Sequence, residues 1–145
     1  MSESPSLPSR LEDIRQDFLS LALSDRLQLL LEFSENLPSV PEGLVPEDAW
    51  ERVEECQSPV FIHVDTSGPL PQIHASAPEE APTTRGFASI LVQGLSGLSP
   101  EEIRQVPADF PHMLGLAEAV SLLRLRGMGG MLWRIKRHVD EGYPQ

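Results

Sequence analysis

Proline decides where this chain can be cut into elements. Its ring fixes φ and removes the backbone donor, so neither a helix interior nor a central strand accommodates it. Of the 145 residues 14 are proline, and most stand between Pro5 and Pro82, at joints between segments that each carry their own hydrophobic period. The prolines therefore read as punctuation of a folded domain rather than as a low-complexity tract. Residues 1–9, polar and rich in Pro and Ser, are expected to form a loose tail, with residues 10–145 as a single domain.

Between these joints the period changes twice. Leu11, Ile14, Phe18 and Leu21 follow helical spacing. Ser24 and Asp25 then offer a start for a second helix, with Leu27, Leu30, Leu31 and Leu37 as its inner stripe and Pro38 beyond its end. Pro38, Pro41 and Pro46 mark an extended connection. Trp50–Val53, Val60–Val64 and Leu70–Ala75 read as three strands, the middle one β-branched and aromatic, with a turn at Thr66-Ser67-Gly68-Pro69. Their short connections predict an antiparallel meander, and Cys56 falls in the loop between the first two strands.

Helical spacing returns after the joint at Pro78 to Pro82. Phe87, Ile90, Leu91 and Leu95 form one stripe, on a helix starting near Thr83 or Thr84. Ser99-Pro100-Glu101-Glu102 combines a cap, a proline at the first helical position and a glutamate three residues after the serine, so it opens a helix that Pro107 keeps short. Phe110 to Ala119 predicts another short helix. A last one, from about Arg126, buries Met128, Met131, Leu132 and Ile135, the methionines as core packing rather than as an adaptable binding surface. Helices, then strands, then helices indicate an α+β fold: a small antiparallel three-stranded sheet with helices packed on one face.

The formal net charge of −11, from 22 acids and 11 bases, repels nucleic-acid phosphates and anionic membrane surfaces. Five of the 11 bases, Arg124, Arg126, Arg134, Lys136 and Arg137, crowd one C-terminal stretch. They are expected on a solvated helix face near its C-terminus, where they suit the macrodipole. His63, His74, His112 and His138 lack ligand spacing as a set, so ordinary partly exposed histidines are expected and no metal. The N-terminus has neither the basic nor the apolar region of a signal peptide, and no apolar run approaches the roughly 18 residues of a membrane span. A reduced cytoplasm is the expected setting.

One cysteine excludes an internal disulfide framework and any all-thiolate metal site. In Glu54-Glu55-Cys56-Gln57-Ser58-Pro59 the thiol stands in a loop bounded by polar residues, where it can reach another protein's sulfur. That placement predicts rapid alkylation of the native protein, whereas a structural adaptor with an inert Cys56 would resist. Glu54 and Glu55 disfavour the thiolate. Cations that could offset them are Arg85, at a helix start, and Arg124; a quiet, weakly activated thiol is expected. A cysteine-nucleophile hydrolase is the alternative from another class. It would need a base, for which His63 is available, and an oxyanion hole, but no Gly-rich nucleophile turn surrounds Cys56.

Three segments in register resemble the SufE family of cysteine-desulfuration proteins. Cys56-Gln57-Ser58 followed by Val60-Phe61-Ile62 matches its Cys-Gln-Ser signature ahead of an apolar strand. Glu80-Ala81-Pro82-Thr83-Thr84-Arg85-Gly86 stands where the family has an acidic residue ahead of a basic-Gly pair that opens a helix. Leu123-Arg124-Leu125-Arg126-Gly127-Met128 is similar to its Ser-Arg-Ser-x-Gly-Leu segment, keeping Arg124 and Gly127. The resemblance runs from about Leu11 to Val139 and is nearest to actinobacterial-type members. It implies a SufE/IscU-like fold and a sulfur carrier rather than an enzyme. Cys56 would accept persulfide sulfur from a pyridoxal-phosphate cysteine desulfurase of the SufS kind, stimulate that enzyme, and pass the sulfur to an Fe–S cluster scaffold of the SufBCD kind. Gln57 and Ser58 would shape the loop, and Glu80, Arg85 and Arg124 would serve docking or the thiol's surroundings. No cofactor would be bound by this chain. A cluster scaffold of the IscU type shares the general fold but needs about three or four ligands, which one cysteine cannot supply.

Overall fold

The structure is a computed structural model and describes residues 7–145. Most of the tail expected over residues 1–9 lies outside the described residues; of its last three, Leu7 is buried in the core and Ser9 opens the first helix. Five α-helices and one sheet are present among the described residues: α1 (Ser9–Leu19), α2 (Leu23–Glu35), β1 (Glu51–Arg52), β2 (Phe61–Asp65), β3 (Gln72–Ser76), α3 (Pro82–Leu95), α4 (Pro100–Arg104) and α5 (Leu122–Gly142). Short 3-10 turns occupy Glu47–Ala49 and Phe110–Leu114. The sheet is an antiparallel meander in the order β1-β2-β3, as its short connections predict.

Strand register sorts the side chains onto two faces. Ile62 pairs with Ala75 and Val64 with Ile73, and all four are buried beneath α3 and α5. On the opposite face His63 pairs with His74, their rings stacked 6.0 Å apart, and Trp50 meets the edge of His63. The helices thus cover one face. Asp65 ends β2 by accepting hydrogen bonds at Oδ1 from the backbone N–H and the hydroxyl of Ser67, which turns the chain toward β3.

At the centre lies α3. The stripe Phe87, Ile90, Leu91 and Leu95 is buried as expected, but so are Gly86, Ala88, Ser89, Val92 and Gly94, because α1, α2, α5 and the sheet surround the helix. A helix buried all round is defined less by an apolar stripe than by where its small residues let neighbours approach. Gly86 is one such point: a Cβ there would stand 2.5 Å from the Leu30 carbonyl oxygen of α2.

Ser99 caps α4 as predicted, accepting from the Glu102 N–H at 3.1 Å while the Glu102 carboxylate accepts from the Ser99 N–H at 3.0 Å. Other boundaries moved. Phe110 to Ala119 is not helical throughout, because Gly115 adopts a left-handed conformation (φ 68°) and ends the turn at Leu114. The last helix starts at Leu122 rather than near Arg126, with Ser121 as its cap accepting from the Arg124 N–H. Its first turn escaped the periodicity because Leu122 and Leu123 face solvent. Met128 and Met131 are wholly buried, as core packing requires.

These contacts predict opposite responses to the same change. Gly86→Ala should destabilise, since overpacking against a backbone carbonyl costs about 1–3 kcal/mol and outweighs the gain in helix propensity of about 1 kcal/mol. Gly129→Ala on α5, where nothing lies within 4 Å of the new methyl, should be neutral or stabilising. Denaturant midpoints of the two variants check both.

Candidate functional site

Val53 and Val60, both fully buried, close the base of the loop that carries the cysteine, through a hydrogen bond from Val53 N–H to Val60 C=O of 2.9 Å. Cys56 N–H donates to Val53 C=O, folding the loop back on itself. The loop lies across α5 at two glycines. A Cβ on Gly127 would stand 2.8 Å from Cys56 Sγ, and one on Gly130 would stand 2.5 Å from Glu55 Oε1. Glycine at both positions leaves room for this close approach; a methyl at either would displace the Cys56 or Glu55 side chain from its seat.

Cys56 opens into a cavity of about 400 Å³. Its walls are residues 55–58 of the loop, residues 80–84 leading into α3, and Ser121, Leu123, Arg124 and Gly127 at the start of α5. Two helix N-termini therefore converge on the space beside the sulfur. Each presents the positive end of its dipole, and the first turn of α3 has no side-chain cap. The Arg124 side chain and the Thr83 and Thr84 hydroxyls supply the cavity with groups that suit an anion, while the Glu55 and Glu80 carboxylates in the same walls oppose one.

The thiol itself is quiet. Only 7% of Cys56 is exposed, contrary to the reachable loop cysteine expected from sequence, because the glycine strip lets the loop sink against α5. Burial, and after it the Glu55 carboxylate, push the thiol up to about 11, while Arg134 and Arg52 pull the other way. The weak activation expected from the flanking acids is thus present, with desolvation as its main cause.

The structure brings Cys56, Gln57, Ser58, Glu80 and Arg124 to one cavity. Arg85 is not among them. Its guanidinium donates to Ser34 C=O at 3.0 Å and to Ala77 C=O, so it fastens the ends of α2 and β3 to α3. Nor does the C-terminal basic stretch form a solvated face near a helix C-terminus. Arg124 and Arg126 stand in the first turns of α5, and Arg134 is buried, reaching Glu55 at 2.7 Å and Glu51 at 3.5 Å. Glu51 also meets Arg137 and His138. Burial pushes the Glu51 carboxyl up, but the His138 hydrogen bond and then the surrounding cations outweigh it and hold the group below its usual value.

Sequence reasoning missed the role of Arg134. The signal was present, since Gly127, Gly130 and Arg134 lie three and four residues apart on one face of α5. No histidine lines the Cys56 cavity; His63 packs on the far face of the sheet, stacked on His74. The base that a hydrolase would need is not at the thiol. Among the described residues, no group of three or more His, Cys, Asp or Glu could hold a metal ion, and no helix is long and apolar enough to cross a membrane.

Comparison with known proteins places this geometry in a family. Residues 12–139 match the family model described as SufE, Fe-S metabolism associated domain. An uncharacterized SufE-like protein of Mycobacterium tuberculosis is 52% identical over 142 residues, covering 97% of this chain and 99% of the relative. A cysteine desulfuration protein SufE of Plasmodium vivax is 31% identical over 94 residues, 63% of this chain and 38% of that protein. The solution structure of a hypothetical protein from Thermus thermophilus superposes with a TM-score of 0.84 at 37% identity, over 97% of this chain and 100% of that one.

A buried, proton-retaining thiol has two measurable consequences. Near neutral pH, iodoacetamide should modify Cys56 far more slowly in the native protein than in urea, and the native rate should climb as pH approaches about 11. The fold keeps the thiol protonated where the unfolded chain has already ionised, so this contribution is complete below the unfolded value. It is lost as pH rises toward about 11. Stability of the native protein should therefore fall more steeply over that window than stability of Cys56→Ala.

Proposed function

This chain belongs to the SufE family, and on that premise we propose that Cys56 accepts persulfide sulfur from a cysteine desulfurase and carries it toward an Fe–S cluster scaffold. The Cys56 thiolate attacks the outer sulfur of the donor persulfide. A bond forms from Sγ to that sulfur, the donor's S–S bond breaks, and the donor cysteine leaves as a thiolate. One reachable thiolate suffices, and a second cysteine nearby would divert the carried sulfur into a disulfide. Neither sulfur partner requires an external oxidant or reductant. Any pyridoxal phosphate belongs to the donor enzyme, and the chain acts as carrier and stimulator in a reduced cytoplasm.

The observation that carries this reading is the cavity beside Sγ. A sulfur atom added to Cys56 has room there, and the N-termini of α3 and α5 with Arg124 offset the Glu55 and Glu80 carboxylates that share the walls. Gln57 and Ser58 complete the wall on the loop side, and Glu80 faces them. Leu123, 45% exposed, lines the cavity with Arg124, and with the 65% exposed Leu122 before it in the chain supplies a contact surface for the donor. The buried resting thiol resists stray oxidation and exchange, so transfer waits for the partner.

Desulfurase turnover with cysteine tests the proposal. The native chain should gain one sulfur atom on Cys56 by mass spectrometry and should increase sulfide release; Cys56→Ser should do neither. Equal stimulation by Cys56→Ser would rule out the acceptor mechanism. Gly127→Ala, which displaces Sγ from its seat, should lower sulfur loading severalfold while the fold persists by circular dichroism.

A further inference from the structure

Two acids precede the thiol, and they are treated differently. Glu54 is exposed, whereas the Glu55 carboxylate reaches the Arg134 guanidinium at 2.7 Å across the Cys56 loop. Arg134 is only 7% exposed and donates also to Gly130 C=O at 3.1 Å. Its Nε has no hydrogen-bond partner and faces Glu51 Oε2 at 3.5 Å. One buried cation is thus shared between an acid on β1 and the acid next to the thiol. Gly130 makes this possible, because Glu55 occupies the space its Cβ would fill.

Resting on the sulfur-acceptor reading, we propose that Glu55 and Arg134 are positioning residues: a clasp that seats the Cys56 loop on α5 and sets the readiness of the thiol to ionise. The two charges act on Sγ with opposite sign, and while they are paired they largely offset each other. Glu55 is the exposed half, with about a third of its side chain open to solvent, and Arg134 is the buried half. A partner group that draws Glu55 away therefore removes the anion next to the thiol and leaves Arg134 held by Glu51 alone, which tips the balance toward thiolate. The other charges around the clasp and Cys56 are Glu51 and Arg52 from β1, the exposed Glu54, Glu80 ahead of α3 and Arg124 on α5; of these only Glu51 touches the pair, at Arg134. The shift of the thiol agrees in sign, Glu55 raising it and Arg134 lowering it.

The test is the pH profile of Cys56 alkylation in the free protein, which needs no desulfurase. Glu55→Gln should move the rise in rate to lower pH and speed alkylation near neutrality by about tenfold, the change that one pH unit represents. Arg134→Gln should move the rise to higher pH. If the pair only holds the loop closed, both variants will speed alkylation at every pH with the midpoint unmoved, and the proposal is wrong. Should Arg134→Gln fail to fold, Arg134→Lys takes its place: it keeps the charge and should keep the native midpoint. An unmoved Glu55→Gln midpoint overturns the clasp whatever the other variants do. Sulfur loading of the native chain by a desulfurase is scored separately. Its absence with opposite midpoint shifts would refute the carrier reading and leave the clasp standing.

Discussion

α3 is surrounded by α1, α2, α5 and the sheet, and each neighbour needs its own line of approach along one 14-residue helix. Large side chains cannot occupy every side of such a helix, so Gly86, Ala88, Ser89 and Gly94 alternate with Phe87, Ile90, Leu91 and Leu95. Close packing around this axis fixes where α5 lies across the sheet. The position of α5 then determines everything at the cysteine: the seat of the loop, the cation that holds Glu55, and one wall of the cavity.

The chemistry follows from two opposed arrangements around one sulfur. Desolvation, and after it the Glu55 carboxylate at the cavity wall, keep Cys56 protonated. Against these, the starts of α3 and α5 and the Arg124 side chain favour negative charge. On the proposed acceptor reading, a neutral thiol at rest and a loaded sulfur occupy different points about 2 Å apart, the length of an S–S bond. Membership of the SufE family and the near-complete overlap with the Thermus thermophilus structure agree with a fold built around this loop.

How much of this could be read from the chain varies with the physics of each part. Val60 to Val64 announced a strand through β-branched and aromatic residues, and Ser99 announced its capping box, because both signals are local. Leu122 and Leu123 hid the start of α5, since exposed leucines at a helix start break the expected stripe. Arg85 reads as a neighbour of the thiol because it stands at a helix start, in the basic-Gly pair of the second motif segment. One helical turn is enough to aim it at Ser34 and Ala77 instead. Arg134 was counted with a basic cluster, although its partners lie 79 and 83 residues away.

Composition, period and the three motif segments were sufficient to determine the α+β class, the meander, the loop position of Cys56 and the family. Those properties depend on neighbours in sequence or on residue types at fixed spacing. Tertiary structure alone decided that the thiol is buried, that Arg134 rather than Arg85 holds the acid next to it, and that two helix N-termini meet beside it. Burial and charge act through space, and at Cys56 that space is bounded by segments from three distant parts of the chain.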